Sequence, residues 1–134
     1  MSDYYNKEGK PITREEYAVK FNDKKYKVVQ QGDTKSGFWI STVWLGLDHS
    51  HDKNTKYHVI FESMVFHKEK DGTLNYSGID SRRYCTLKEA TAGHKELKAE
   101  WEKKNPIVEE AKEKLRDIQN QIEDLRDILY EGSD

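Results

Sequence analysis

A chain of 134 residues allows one domain with room for a helical appendage. It is 34% hydrophobic and 36% charged, but its apolar residues are concentrated in strand-like runs and aromatics, so a core is available. The formal net charge of −2 argues against duplex nucleic acid or an anionic membrane as the main partner, because affinity for either rests on a basic footprint.

Residues 4–12 read as an extended arm, with a turn signal at Asn6-Lys7-Glu8-Gly9 and a Pro-fixed approach at Lys10-Pro11. Thr13-Arg14-Glu15-Glu16 is a capping box, which predicts a short helix to about Phe21 that buries Tyr17, Ala18 and Phe21. Lys25–Gln31 alternates as a first strand, and Gly32-Asp33 and Ser36-Gly37 bracket a hairpin loop.

Phe38–Leu47 is the second predicted strand and the densest apolar run. Phe38, Ile40 and Trp44 share one face; Trp39, Val43, Leu45 and Leu47 share the other. A strand apolar on both faces is usually central. Asp48–Lys56 is a polar loop, and Tyr57–His67 is the third strand. Asp71-Gly72 is the strongest two-residue hairpin signal, leading to a fourth strand over Leu74–Cys85. The expected fold is therefore α+β, with a three- to four-stranded antiparallel meander.

Thr86-Leu87-Lys88-Glu89 is a second capping box. It opens a helix to about Lys104 with Leu87, Ala90, His94, Leu97 and Trp101 on one stripe, and that helix packs the sheet. Asn105-Pro106 starts another helix. Val108, Ala111, Leu115, Ile118, Ile122, Leu125 and Leu129 recur at alternating three- and four-residue steps, the spacing of a coiled-coil seam. Such a seam needs a cover: the preceding helix, the sheet, or another copy of the chain in a homo-oligomer. The domain division expected is 1–104 for the α+β part and 105–134 for the helix. From Ile107 onward there are nine acidic and four basic residues, so this tail is acidic.

Cys85 is the only cysteine, which excludes an intrachain disulfide and fits a reducing cytosol. No apolar run approaches the ~20 residues needed to span a bilayer. The start, Met1-Ser2-Asp3-Tyr4-Tyr5, lacks the form of a signal peptide, so the expected location is the cytoplasm.

Candidate chemistry centres on charged groups within the strands. Glu62 lies between apolar neighbours, where a carboxylate is costly unless paired, and Arg82 and Arg83 on the next strand are the obvious partners. That pair can be a purely structural one or part of a ligand site. Trp39, Trp44, Tyr57, Phe61 and Tyr84 supply aromatic surface, and aromatics beside arginines suit a planar phosphorylated ligand. The candidate ligand set is Trp44, Asp48, His49, Glu62, Arg82, Arg83 and Tyr84. The candidate oligomer seam is Leu115, Ile118, Ile122, Leu125 and Leu129. Asp48, His49, His51, Asp52, Glu62 and His94 form a weak metal-ligand pattern, without paired-Cys or His-Glu-x-x-His spacing. His94, on the apolar stripe, reads first as a core histidine. No Walker-type loop, dinucleotide fingerprint or nucleophile elbow occurs, and no cofactor is expected.

Four motifs carry a resemblance: Tyr4-Tyr5 with Gly9-Lys10-Pro11-Ile12-Thr13, then Ser41–His49, then Ile60–Phe66, then Arg83-Tyr84-Cys85-Thr86 with Glu89-Ala90 and Gly93-His94. Over roughly residues 4–98 they resemble a family of small accessory proteins of tailed bacteriophages and prophages, a family that carries no established activity. The polar loop Ser50–Lys56 departs from it, since Gly and Pro are expected there, and the helix after Asn105 extends beyond its usual end. The resemblance implies a setting, the cytoplasm of an infected host, where small non-enzymatic proteins often act on defence. The reading is a binding protein that antagonises an antiviral system, by sequestering a nucleotide-like ligand or by docking on a host protein. The rivals are a metal-dependent hydrolase using Asp48, His49, Glu62 and His94, and a virion or assembly component.

Overall fold

The computed structural model describes residues 3–50 and 57–131. Two compact units divide the chain, Met1–Lys103 and Lys104–Asp134.

The first unit opens with the arm. Asn6 organises its turn by accepting from the Glu8 and Lys10 amides, and the Ile12 amide donates to the Tyr4 carbonyl. Helix α1 (Arg14–Phe21) starts at the expected capping box: the Thr13 hydroxyl accepts from the Glu16 amide, and the Glu16 carboxylate accepts from the Thr13 amide. Tyr17 and Phe21 are half-buried, whereas Ala18 faces solvent, contrary to expectation. The first predicted strand also begins too early. Asp23 accepts from the Lys25 amide and nucleates a single turn, α2 (Lys24–Lys27), before strand β1 (Val28–Asp33). The local cap outcompetes the alternation there.

Strands β2 (Phe38–Trp44), β3 (Phe61–Lys68) and β4 (Leu74–Tyr84) complete an antiparallel sheet in the order β1-β2-β3-β4. The fold is α+β with a four-stranded meander, and β2 is interior as its two apolar faces require. β2 ends three residues sooner than expected. Gly46 has φ +76°, and a Cβ there would meet Trp44 and Tyr17 ring atoms at 2.6–2.7 Å. Only glycine allows that turn and that approach. Beyond it Leu47 bridges to Tyr4, and the Tyr5 amide donates to the Gly46 carbonyl, so the arm extends this edge.

Helix α3 (Leu87–Glu102) begins at its own cap, Thr86, and lays Ala90, Gly93, His94, Leu97 and Trp101 on the sheet. The face it covers carries Phe38, Ile40, Thr42 and Trp44 from β2 and Phe61, Ser63 and Val65 from β3, all buried. Two apolar clusters result. One gathers Tyr5, Ile12, Trp44, Ile60, Phe61 and Ala90. The other gathers Phe38, Ile40, Val65, Leu97 and Trp101. Between them lies a polar bridge. The Thr42 hydroxyl is 2.5 Å from the Ser63 hydroxyl and 2.7 Å from His94 Nδ1, and all three residues are buried. His94 is thus a satisfied core histidine. Burial, then the nearby Lys98, lowers its pKa.

The second unit is helix α4 (Pro106–Glu131), capped by Asn105, which accepts from the Ile107 and Val108 amides. Its apolar residues are exposed, Ile118 by 52% and Ile122 by 47%.

Candidate functional site

The loop that leaves β2 and returns to β3 is closed at its base by Asp48. Its carboxylate accepts from the Ser50 amide (2.8 Å), the Ser50 hydroxyl (2.9 Å), the Val59 amide (3.0 Å) and His58 Nδ1 (2.8 Å). Burial alone would raise its pKa, but the Ser50 amide, the His58 ring, the Ser50 hydroxyl and the Val59 amide together bring it down to about 2. A carboxylate so fully engaged is ionised and fixes its neighbours. His58 is therefore held through Nδ1, and Nε2 is the nitrogen left to meet an occupant. One face of the imidazole stacks on Tyr5, with centroids 3.9 Å apart and planes at 14°.

His58 lines a cavity of about 220 Å³ together with Lys7, Glu8, Gly9, Tyr57, Ile60, Cys85 and Thr86. Three segments meet there: the turn of the arm, the chain entering β3, and the junction between β4 and α3. The Lys7 ammonium lies over the Tyr26 ring, 4.6 Å from its centroid, and the Lys7 amide donates to the Tyr26 hydroxyl, which ties the turn to the domain. Tyr57 is 62% exposed at the rim. Burial, then Glu89 and Asp48, pushes the Cys85 thiol up, which keeps it protonated and poorly nucleophilic.

The residues singled out from sequence are dispersed rather than gathered. Asp48 and His49 do lie at the loop base, where the His49 amide donates to the Val59 carbonyl. Trp44 is fully buried in the core. Glu62 and Arg83 are cross-strand partners as expected, with Arg83 Nε 2.9 Å from Glu62 Oε2, but they occupy the sheet face opposite α3. Arg82 points the other way and pairs with Glu100 of α3. Tyr84 shares the Arg82 side of β4. Its ring lies so close to Gly93 that a Cβ there would fall 2.2 Å from it, and among the described residues its buried hydroxyl has no partner. Alternation along β4 explains the split, since Arg82 and Arg83 must face opposite sides.

The metal pattern disperses too. Glu62 and His94 are on opposite faces of the sheet, and the Asp48 oxygens are occupied by four donors. Among the described residues no three His, Cys, Asp or Glu side chains come together as ligands would. His51 and Asp52 lie outside the described residues. His58, Tyr5 and Lys7 were missed as site residues. Asp48 and His58 flank one loop, and a carboxylate and an imidazole at facing ends of a loop were the available signal.

Arg83 is half exposed and Glu62 largely covered, so the pair is neither a buried core bridge nor part of the cavity. Glu62→Gln and Arg83→Gln should each cost about 1 kcal/mol or less in urea unfolding, the range for a solvent-screened pair. A loss of 3–5 kcal/mol, as for a buried pair, would contradict this geometry.

No family model, curated protein or solved structure matches the chain. Among the described residues no helix is long and apolar enough to cross a membrane.

Proposed function

We propose that this chain is a non-enzymatic, phage-type binding protein that captures a small phosphorylated, nucleotide-like ligand and so antagonises a host antiviral system. The observation that carries the reading is the cavity beside His58, in which an imidazole anchored by an ionised carboxylate sits with Lys7 and the Thr86 end of α3. Imidazole and ammonium groups suit a phosphate or similar anion. A cavity of about 220 Å³ is smaller than pockets that enclose a whole ligand, which are roughly 300–1,000 Å³. It fits the anionic end, leaving a planar base to stack on the exposed Tyr57 ring. Cys85 stays protonated and so offers no thiolate nucleophile.

The host setting rests on the phage resemblance of residues 4–98. The docking version draws on α4, whose acidic side chains could imitate nucleic-acid charge against a basic protein surface.

The test is calorimetric titration with a panel of mononucleotides, dinucleotides and cyclic nucleotides. Wild type should bind at least one member. Lys7→Ala and His58→Ala should each weaken it by about tenfold or more, as expected for charged hydrogen bonds. Glu62→Gln should bind as wild type does. No binding across the panel would end the ligand reading in favour of docking, and selective loss in Glu62→Gln or Arg83→Gln would move the site to the other sheet face.

A further inference from the structure

The chain carries a net charge of −2, yet residues 7–27 hold seven lysines and arginines against four acids. Three of those lysines are half-buried and gather over two rings. The Lys7 and Lys20 ammonium groups both lie over Tyr26, 4.6 and 4.3 Å from its centroid, so they are at most about 9 Å apart. Lys27, next in sequence to Tyr26, reaches over Phe21 at 3.6 Å. The ends of α1 and α2 thus exchange lysines across each other's aromatic ring. Trp44 holds Tyr26 edge-on at 5.0 Å, which fixes the platform.

A clamp between two helices needs one ammonium per ring, and a second on Tyr26 adds repulsion. Among the described residues none of the three lysines pairs with a carboxylate. Asp23, the acid beside them, is engaged at the Lys25 amide. Burial lowers the Lys7 pKa despite the nearby Glu8 and Asp23. The Tyr26 hydroxyl accepts from the Lys7 amide at 2.9 Å, and among the described residues its own hydrogen meets no acceptor. Three cations and an unmatched O–H donor therefore converge from three segments without a counter-charge. A carboxylate offers two oxygens in one plane, whereas consecutive phosphoryl groups offer oxygens in several directions. We propose that the Lys7, Lys20 and Lys27 cluster around Tyr26 is a site for an oligophosphate, separate from the cavity beside His58.

Calorimetric titration of the full chain with inorganic tripolyphosphate tests this. Wild type should bind one per chain. Lys20→Gln and Lys27→Gln should each weaken binding about tenfold, the loss expected of one charged hydrogen bond, and Lys20→Arg should keep most of the affinity. Lys24→Gln removes the same charge from an exposed position in α2. It should bind within about twofold of wild type, as should His58→Ala. No binding, or an equal loss in Lys24→Gln, would mean diffuse surface charge and overturn the site. Loss confined to His58→Ala would put the phosphate in the cavity instead. Tighter binding of a polyglutamate peptide through the same lysines would assign the cluster to an acidic protein. A lower urea midpoint in Lys20→Gln with undiminished binding would reduce the lysines to a clamp.

Discussion

Trp44→Ala should destabilise the first unit by about 3–5 kcal/mol, the range for truncating a large buried aromatic. The indole is completely buried, edge-on to Tyr26 at 5.0 Å, and against Tyr17 at 5.8 Å. Its Nε1 donates to the Tyr5 carbonyl at 2.9 Å, so the cavity left by truncation also frees the arm. Tyr5 stacks on His58, and loosening it should blunt the cavity as well. Trp44→Phe, which keeps most of the volume and loses the hydrogen bond, should cost less than the alanine variant. Urea unfolding followed by far-UV circular dichroism reads all three proteins. An alanine variant with an unchanged midpoint would return Trp44 to the ligand-contact role its sequence context suggested.

Thr42→Val should cost about 2–4 kcal/mol, although it is nearly isosteric and adds apolar surface. The hydroxyl it removes is the hub of the buried bridge, and its loss leaves Ser63 Oγ and His94 Nδ1 to be desolvated without it. Replacing all three, as Thr42→Val with Ser63→Ala and His94→Leu, should recover much of that loss, because no orphaned polar group then remains. The bridge also predicts a pH dependence. Burial, then Lys98, holds the His94 pKa below its ordinary 6.5 in the folded chain. As the pH falls below about 6.5 the unfolded chain takes up a proton that the folded chain refuses, so stability declines until the folded pKa is reached. Subtracting the profile of His94→Leu from that of wild type isolates this slope. A flat difference between about pH 7 and pH 5 would mean that the ring is not held neutral by its surroundings.

Much of the architecture is local in origin and legible along the chain. Both capping boxes, the Asp71-Gly72 turn, the four strand-like runs and the long 3-4 repeat are set by interactions within a few residues. Apolar residues on both faces of Phe38–Leu47 indicated an interior strand, whereas counting back from a two-residue turn sets Glu62 opposite Ser81, and the register shift between Val65 and His67 brings Arg83 there instead. The one-turn helix at Lys24–Lys27 was missed because a single Asp23 side chain outweighed a short alternating pattern.

The candidate site depended on tertiary structure. Trp44, Glu62, Arg82, Arg83 and Tyr84 are close in sequence pattern, but a sheet sends neighbouring residues to opposite faces and α3 covers only one of them. Conversely, Lys7, His58 and Thr86 are dispersed in sequence and line the same cavity. Return of the arm along Gly46–Leu47, loop closure by Asp48 and pairing of β3 with β4 bring them beside the locally capped start of α3, and none of those three pairings is set within a few residues. A repeating pattern along the chain identifies an element and its apolar face, whereas the convergence of single polar side chains from three segments is decided only when those segments pack.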